Sequence, residues 1–186
     1  MKVMLVNGSP HEHGCTDAAL REVASALNAD GIDAEIFWIG NTPIGGCIAC
    51  GGCSKAGKCV FGGSVNDFAE KAKDADGFVF GTPVHYAAAS GNMTAFMDRL
   101  FYSAPAAYEQ LLKYPGITEM PIVSSCYWNN VHGSKAEDVQ QDEEGVRIMR
   151  VLGHNMAWLL RCIEAGKAAG VPNPRKEPLA KTNFIR

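Results

Sequence analysis

Val3-Met4-Leu5-Val6-Asn7-Gly8-Ser9-Pro10-His11-Glu12-His13-Gly14-Cys15-Thr16 decides the fold. The apolar run Val3–Val6 reads as a short buried parallel strand. From Asp17 to Asp30, Ala19, Leu20, Val23, Ala24 and Leu27 recur at helical spacing. Strand, polar loop, helix is the opening of an α/β unit, and it leaves backbone N–H groups at a helix N-terminus, where the macrodipole favours an anion. Gly8 and Gly14 permit a tight turn, and Ser9, Thr16 and the amide of Cys15 can donate hydrogen bonds. The plainer reading is an ordinary strand–helix junction with Thr16 as the cap. The loop is neither GxGxxG nor GxxxxGK[ST], so the usual dinucleotide and nucleoside-triphosphate fingerprints are absent.

The 186 residues suit one α/β domain, here 1–170, followed by a proline-bearing tail, 171–186, expected to be extended. A net charge of −3 gives no electrostatic footprint for nucleic acid or an anionic membrane. No transmembrane run or signal-peptide core is visible, and seven cysteines, an odd number, argue against a disulfide framework. A cytoplasmic setting is therefore expected.

Beyond the first helix, Ile32–Ile39 reads as the second strand and Ser64-Val65-Asn66-Asp67 as the start of the second helix. Gly77–Gly81 reads as the third strand, running into Thr82-Pro83-Val84-His85-Tyr86. A helix then carries Met93, Phe96, Met97, Leu100 and Phe101, and Met120–Cys126 is expected to be the last strand. Ser134-Lys135-Ala136-Glu137 opens a long helical stretch that Gly145 and Gly153 bend or interrupt. Tyr127-Trp128-Asn129-Asn130-Val131-His132-Gly133, dense in groups that stack and hydrogen-bond, suits either a substrate pocket or a subunit contact.

The spacing Cys47-x2-Cys50-x2-Cys53-x5-Cys59, with glycines and alanines between, brings four thiols within thirteen positions. Four thiolates are what a [4Fe–4S] cluster requires. Zinc also accepts them, and small soft residues packing a loop are the plain alternative.

Asn7-Gly8-Ser9-Pro10 with Gly14-Cys15-Thr16 resembles the FMN phosphate loop of the flavodoxin-like NAD(P)H-dependent FMN reductases and iron–sulfur flavoproteins. That family usually has a basic residue after the proline and Asn or Ser before the threonine, where this chain has His11 and Cys15. The resemblance implies a doubly wound parallel sheet of order 2-1-3-4-5, with FMN at the crevice between the first and third strand loops. It implies FMN contacts at Ser9, His11, Gly14, Cys15 and Thr16, and at Thr82, Pro83, Val84, His85 and Tyr86. Cys47, Cys50, Cys53 and Cys59 match the cluster-binding spacing of the iron–sulfur members. The function implied is hydride transfer from NAD(P)H through FMN to a flavin, quinone or other small acceptor, in a homodimer or homotetramer. Two other readings are an electron carrier with a [4Fe–4S] cluster beside FMN, and a flavin-dependent redox sensor without turnover. No side chain stands out as a catalytic acid or base.

One element of that plan is missing. Between Ser103 and the helix expected at Ala106–Leu112 only Ala104-Pro105 stand, where the family has a fourth strand and a flavin-contacting loop. A strand cannot fit two residues when each spans only ~3.3–3.6 Å. The expectation is a skipped segment, revealed by a Cα step longer than ~3.8 Å between Ser103 and Ala107.

Overall fold

The structure is a computed structural model that describes residues 1–103 and 119–174. Its centre is β1 (Lys2–Asn7), flanked in parallel by β2 (Asp33–Trp38) and β3 (Gly77–Gly81), in the order β2-β1-β3. Leu5 lies opposite Ile36 on one side and Val79 on the other. Alternation along β1 sends Val3 and Leu5 to one face of the sheet and Met4 and Val6 to the other. Since both faces are covered, the strand is apolar without a break, and all four side chains are fully buried.

On the Val3/Leu5 face lie α1 (Cys15–Ala29) and the long C-terminal helix, α6 (Glu143–Ala168). On the Met4/Val6 face lie α3 (Ser64–Lys71) and α4 (Gly91–Ser103). Phe68 of α3 anchors that second layer, its ring centroid 5.2 Å from Phe37, 5.6 Å from Phe96 and 6.0 Å from Phe78. A short helix, α2 (Cys53–Ala56), interrupts the cysteine loop, and another, α5 (Ala136–Val139), precedes α6. A two-stranded hairpin, β4 (Val84–His85) with β5 (Ala88–Ala89), follows β3. Helices on both faces of a parallel sheet with order 2-1-3 make a flavodoxin-like doubly wound fold.

Several local expectations change. Met120–Cys126 is not a strand: among the described residues β3 pairs only with β1. In a 2-1-3-4-5 sheet the fifth strand bonds to the fourth, and among the described residues no fourth strand offers this segment a ladder. It runs along α6 instead, where Val123 packs on the core and Asn155 Nδ2 donates to the carbonyl of Ser124 at 2.8 Å. β3 is accordingly only half-buried along its length, as an edge strand is. The Ser103–Ala107 step and the helix expected at Ala106–Leu112 lie outside the described residues.

The long helix is not opened by Ser134 and is not interrupted at its glycines. The chain breaks after α5, and Asp142 caps α6, its Oδ1 accepting from Gly145 N at 3.0 Å. At Gly153 a side chain would collide with α1, so that glycine serves close helix packing rather than a bend. Val171–Pro174 has no regular structure, and the rest of the expected tail lies outside the described residues. No helix among the described residues is long and apolar enough to cross a membrane.

Candidate functional site

The carboxyl ends of β1 and β3 are tied directly: Gly8 N donates to Gly81 O at 2.8 Å. A β-carbon on Gly8 would stand 2.5 Å from Met93 Cε and 3.1 Å from that carbonyl, so only glycine lets the two loops approach this closely. The loop after Gly8 builds itself from short-range bonds. Ser9 N donates to Asn7 Oδ1 at 3.0 Å, His11 N to Ser9 Oγ at 3.1 Å, and Asn7 Nδ2 to Glu12 O at 2.9 Å. From β2, Trp38 Nε1 donates to Ser9 O at 2.8 Å.

The loop delivers the chain into α1 with Gly14 as N-cap, in extended geometry and without a capping side chain. Thr16 is the second helical residue rather than the cap, which corrects the plainer reading of the junction. The first-turn amides of Cys15, Thr16 and Asp17 have no intrahelical acceptor, and the half-buried Thr16 can add a hydroxyl. The arrangement suits an anion. The Cys15 thiol turns away from it, donating to Gly133 O at 3.3 Å and bringing the 127–133 loop alongside. His11 is exposed at the rim.

Across the crevice, Thr82-Pro83 leads into the hairpin, whose tip residues Tyr86 and Ala87 have φ of 49° and 61°. Both central positions of such a turn call for positive φ, which Asn-Gly adopts far more easily than Tyr-Ala. Left-handed backbone at non-glycine residues is a place where strain accompanies function. Val84, His85 and Tyr86 are exposed, Tyr86 completely, while Thr82 and Pro83 are half-buried. Beneath them Ser90 joins the loops: its Oγ donates to Gly8 O at 3.3 Å, its N donates to Thr82 Oγ1 at 3.0 Å, and Met93 N donates to its Oγ at 3.3 Å. Ser90 is thus the N-cap of α4.

The chain's cysteine loop runs alongside α4. Asn92 clamps its start, with Ile44 N donating to Asn92 Oδ1 at 3.1 Å and Asn92 Nδ2 to Thr42 O at 3.1 Å. Cys47, Cys50, Cys53 and Cys59 line one cavity with Arg99 and Tyr102. As placed, no three His, Cys, Asp or Glu side chains among the described residues stand close enough to hold a single metal ion. Four thiols around one cavity still fit the donor set of a four-iron cluster, whose ligands sit at separate corners of a bulky core. Cys59 is held at both ends, its carbonyl by Asn66 Nδ2 at 2.8 Å and its Sγ by Arg99 Nε at 3.3 Å. The other atom of that amide, Asn66 Oδ1, is buried without a hydrogen-bond partner.

The two loops singled out from the sequence meet at one end of the sheet, and the cysteines gather on one cavity beside α4. Trp38, Ser90, Asn92 and Arg99 were not singled out. Ser90 had a signal, a serine just before an apolar periodic helix. Arg99 had a weaker one, a lone cation within the run Phe96-Met97-Asp98-Arg99-Leu100-Phe101. Trp38 and Asn92 act across long sequence separations and gave none.

Among known proteins, the family described as NADPH-dependent FMN reductase matches residues 1–118. An iron–sulfur flavoprotein of Methanocaldococcus jannaschii is 34% identical over 99 residues, which are 53% of this chain and 51% of that protein. A second iron–sulfur flavoprotein of the same organism is 25% identical over 185 residues, covering 81% of this chain and 92% of its own. The chain spans about half the length of several such relatives, the first of these two included. The solved structure of RosB with the bound intermediate 8-demethyl-8-formylriboflavin-5'-phosphate superposes with a TM-score of 0.61 at 12% identity. That superposition covers 100% of this chain and 93% of RosB, and it speaks to the fold alone. With its family match over residues 1–118, more than half of its length, the chain belongs to the NADPH-dependent FMN reductase family.

Proposed function

We propose that the chain binds FMN and works as an oxidoreductase, taking reducing equivalents from NAD(P)H and passing them to a flavin, quinone or other small acceptor. The observation that carries this reading is the uncapped N-terminus of α1, lodged beside the β3 loop by the Gly8–Gly81 hydrogen bond. The amides of Cys15, Thr16 and Asp17, with the hydroxyls of Ser9 and Thr16, would hold the phosphate. The 82–86 segment would border the ring through backbone groups. Bound there, FMN supplies reversible hydride acceptance. The protein's residues bind and orient: Gly8 sets the distance between the two ends of the site, and Ser90 locks the hairpin base to it. The tip of the hairpin, with Val84 and Tyr86 outermost, is placed to shape the face that a substrate approaches. A homodimer or homotetramer is part of this reading, with the exposed Tyr127–Trp128 pair, ring centroids 6.1 Å apart, suited to a subunit contact.

Thr16→Glu tests the reading by placing a carboxylate among the phosphate donors. FMN should be lost on purification, together with NAD(P)H oxidation in the presence of free flavin or quinone. Stoichiometric FMN in that variant overturns the assignment. A second reading, an electron carrier with a [4Fe–4S] cluster beside FMN, is favoured by the four cysteines on one cavity and by the names of the relatives. An optical spectrum of anaerobically purified protein, with iron and sulfide analysis, separates the two.

A further inference from the structure

A buried cation in the cysteine cavity has a role that the flavin site does not explain. Arg99 is buried, on the face of α4 that meets the cysteine loop. Its Nε donates to Cys59 Sγ at 3.3 Å, one terminal amino group donates to Gly62 O at 2.7 Å, and the guanidinium lies over the Phe61 ring at 5.8 Å. None of these contacts is a carboxylate. A buried guanidinium is costly unless its charge and donors are met, and here they are met by a sulfur, a carbonyl and an aromatic face. On its other side the cavity offers three further thiols. A centre with four thiolate ligands is anionic, and among the described residues no carboxylate pairs with this guanidinium.

We propose that Arg99 is the positioning residue and counter-charge of a four-cysteine iron–sulfur centre, holding Cys59 in place and raising the centre's reduction potential. The proposal rests on the iron–sulfur reading given above and goes beyond it by assigning a non-cysteine residue. Positive charge and a hydrogen bond to a ligand sulfur both favour the state with one more electron. The same helix places the centre. Asn92 and Arg99 are seven residues apart on α4, ~10 Å along its axis, and Ser90, just before it, touches both flavin loops. The cysteine loop is therefore fixed to the element that also fixes the FMN crevice.

The test uses the full chain, prepared anaerobically and reconstituted with ferrous iron and sulfide, as wild type, Arg99→Gln and Arg99→Lys. FMN content, iron and sulfide per chain, and an EPR-monitored redox titration are the readouts. Arg99→Gln should shift the one-electron equilibrium about tenfold toward the oxidised centre, ~59 mV lower in potential. Arg99→Lys, which keeps the charge but not the fork, should recover part of that shift. Loss of iron in Arg99→Gln with FMN retained, and rescue by Arg99→Lys, also supports the assignment. Unchanged potentials in both variants overturn it, as does loss of iron and FMN together in both. A wild type that keeps FMN but takes up no iron overturns it and leaves the flavin reading intact; a wild type without FMN overturns the flavin reading.

Discussion

Where α6 crosses α1, Gly153 sits so close that a β-carbon there would lie 2.7 Å from Ala26 Cβ and 2.8 Å from Val23 O. Ordinary contact begins near 3.4 Å, so Gly153→Ala must push the helices apart by about 0.6 Å or distort one of them. The obstacles are a backbone carbonyl and a methyl group, and neither can swing aside. Such overpacking costs ~1–3 kcal/mol. Against it, alanine gains ~0.5–1 kcal/mol over glycine inside a helix. The expected net is a loss of ~1 kcal/mol. Gly166→Ala on the same helix is the control, because its β-carbon would meet nothing nearer than Val171 Cβ at 3.8 Å. It keeps the propensity gain, ~0.5–1 kcal/mol, without the collision. Urea unfolding of both variants, compared at equal slope, measures the difference. The wedge presses on α1, whose N-terminus is the proposed phosphate site, so FMN retention by Gly153→Ala is a useful second readout. If Gly153→Ala proves as stable as Gly166→Ala, the close approach of these helices is not real.

Asp142 has its pKa lowered from the usual carboxylate value by hydrogen bonds from Gly145 N, then from His132 N, with the His132 ring a smaller influence. A depressed carboxylate contributes stability above its unfolded pKa, ~3.9, that is lost as pH falls through the folded value. Asp142→Ala should therefore cost ~0.5–2 kcal/mol at neutral pH, and the gap to wild type should begin to narrow below about pH 4 and close once pH has passed the lowered folded value. A gap that persists in acid would mean that packing, not the cap, is lost. At the hairpin tip, Ala87→Gly should relieve left-handed strain of about 1 kcal/mol and raise the thermal midpoint, and a lowered midpoint refutes the strain reading.

Much of the fold was legible because β1, β3, α1 and α4 are self-announcing. Val3–Val6 is an unbroken apolar run, Gly77–Gly81 is bounded by its own glycines, and Met93, Phe96, Met97 and Leu100 repeat at helical spacing and are buried. The end of the chain was harder. Met120–Cys126 has strand composition, but a strand exists only when another backbone accepts its hydrogen bonds, and composition does not report whether that neighbour is there. At the start of the long helix, Ser134-x-x-Glu137 is the more familiar cap pattern. Cap geometry chose Asp142, whose Oδ1 reaches Gly145 N and whose Oδ2 accepts from His132 N at 2.7 Å. The site divides the same way. Loop residues carried local signals in Gly, Ser, Thr and Pro, Arg99 only the weak one of a lone cation in an apolar run, whereas Trp38 and Asn92 became visible only when distant segments met.

The two helix N-termini at this end of the sheet are unequal, and that inequality gives the crevice a direction. α4 carries a side-chain cap: Met93 N is satisfied by Ser90 Oγ, Thr94 N donates to Ser90 O at 3.0 Å, and the Ser90 hydroxyl donates to Gly8 O. α1 has Gly14 where such a serine would stand, and no side chain caps its N-terminus. Of these two N-termini the one without a side-chain cap is on the β1 side, where an entering anion would meet amides and hydroxyls without needing a lysine. On the proposed FMN reading, an apolar, planar group carried on that anion would lie toward Pro83, the hairpin and the capped end of α4, where Ser90 bonds to Thr82 and Gly8. Capping α1 artificially with Gly14→Ser tests this asymmetry. The new hydroxyl competes for the amides of the first turn, so FMN affinity should fall while helix stability does not. Undiminished FMN binding in a Gly14→Ser chain of wild-type stability would show that the phosphate is held elsewhere.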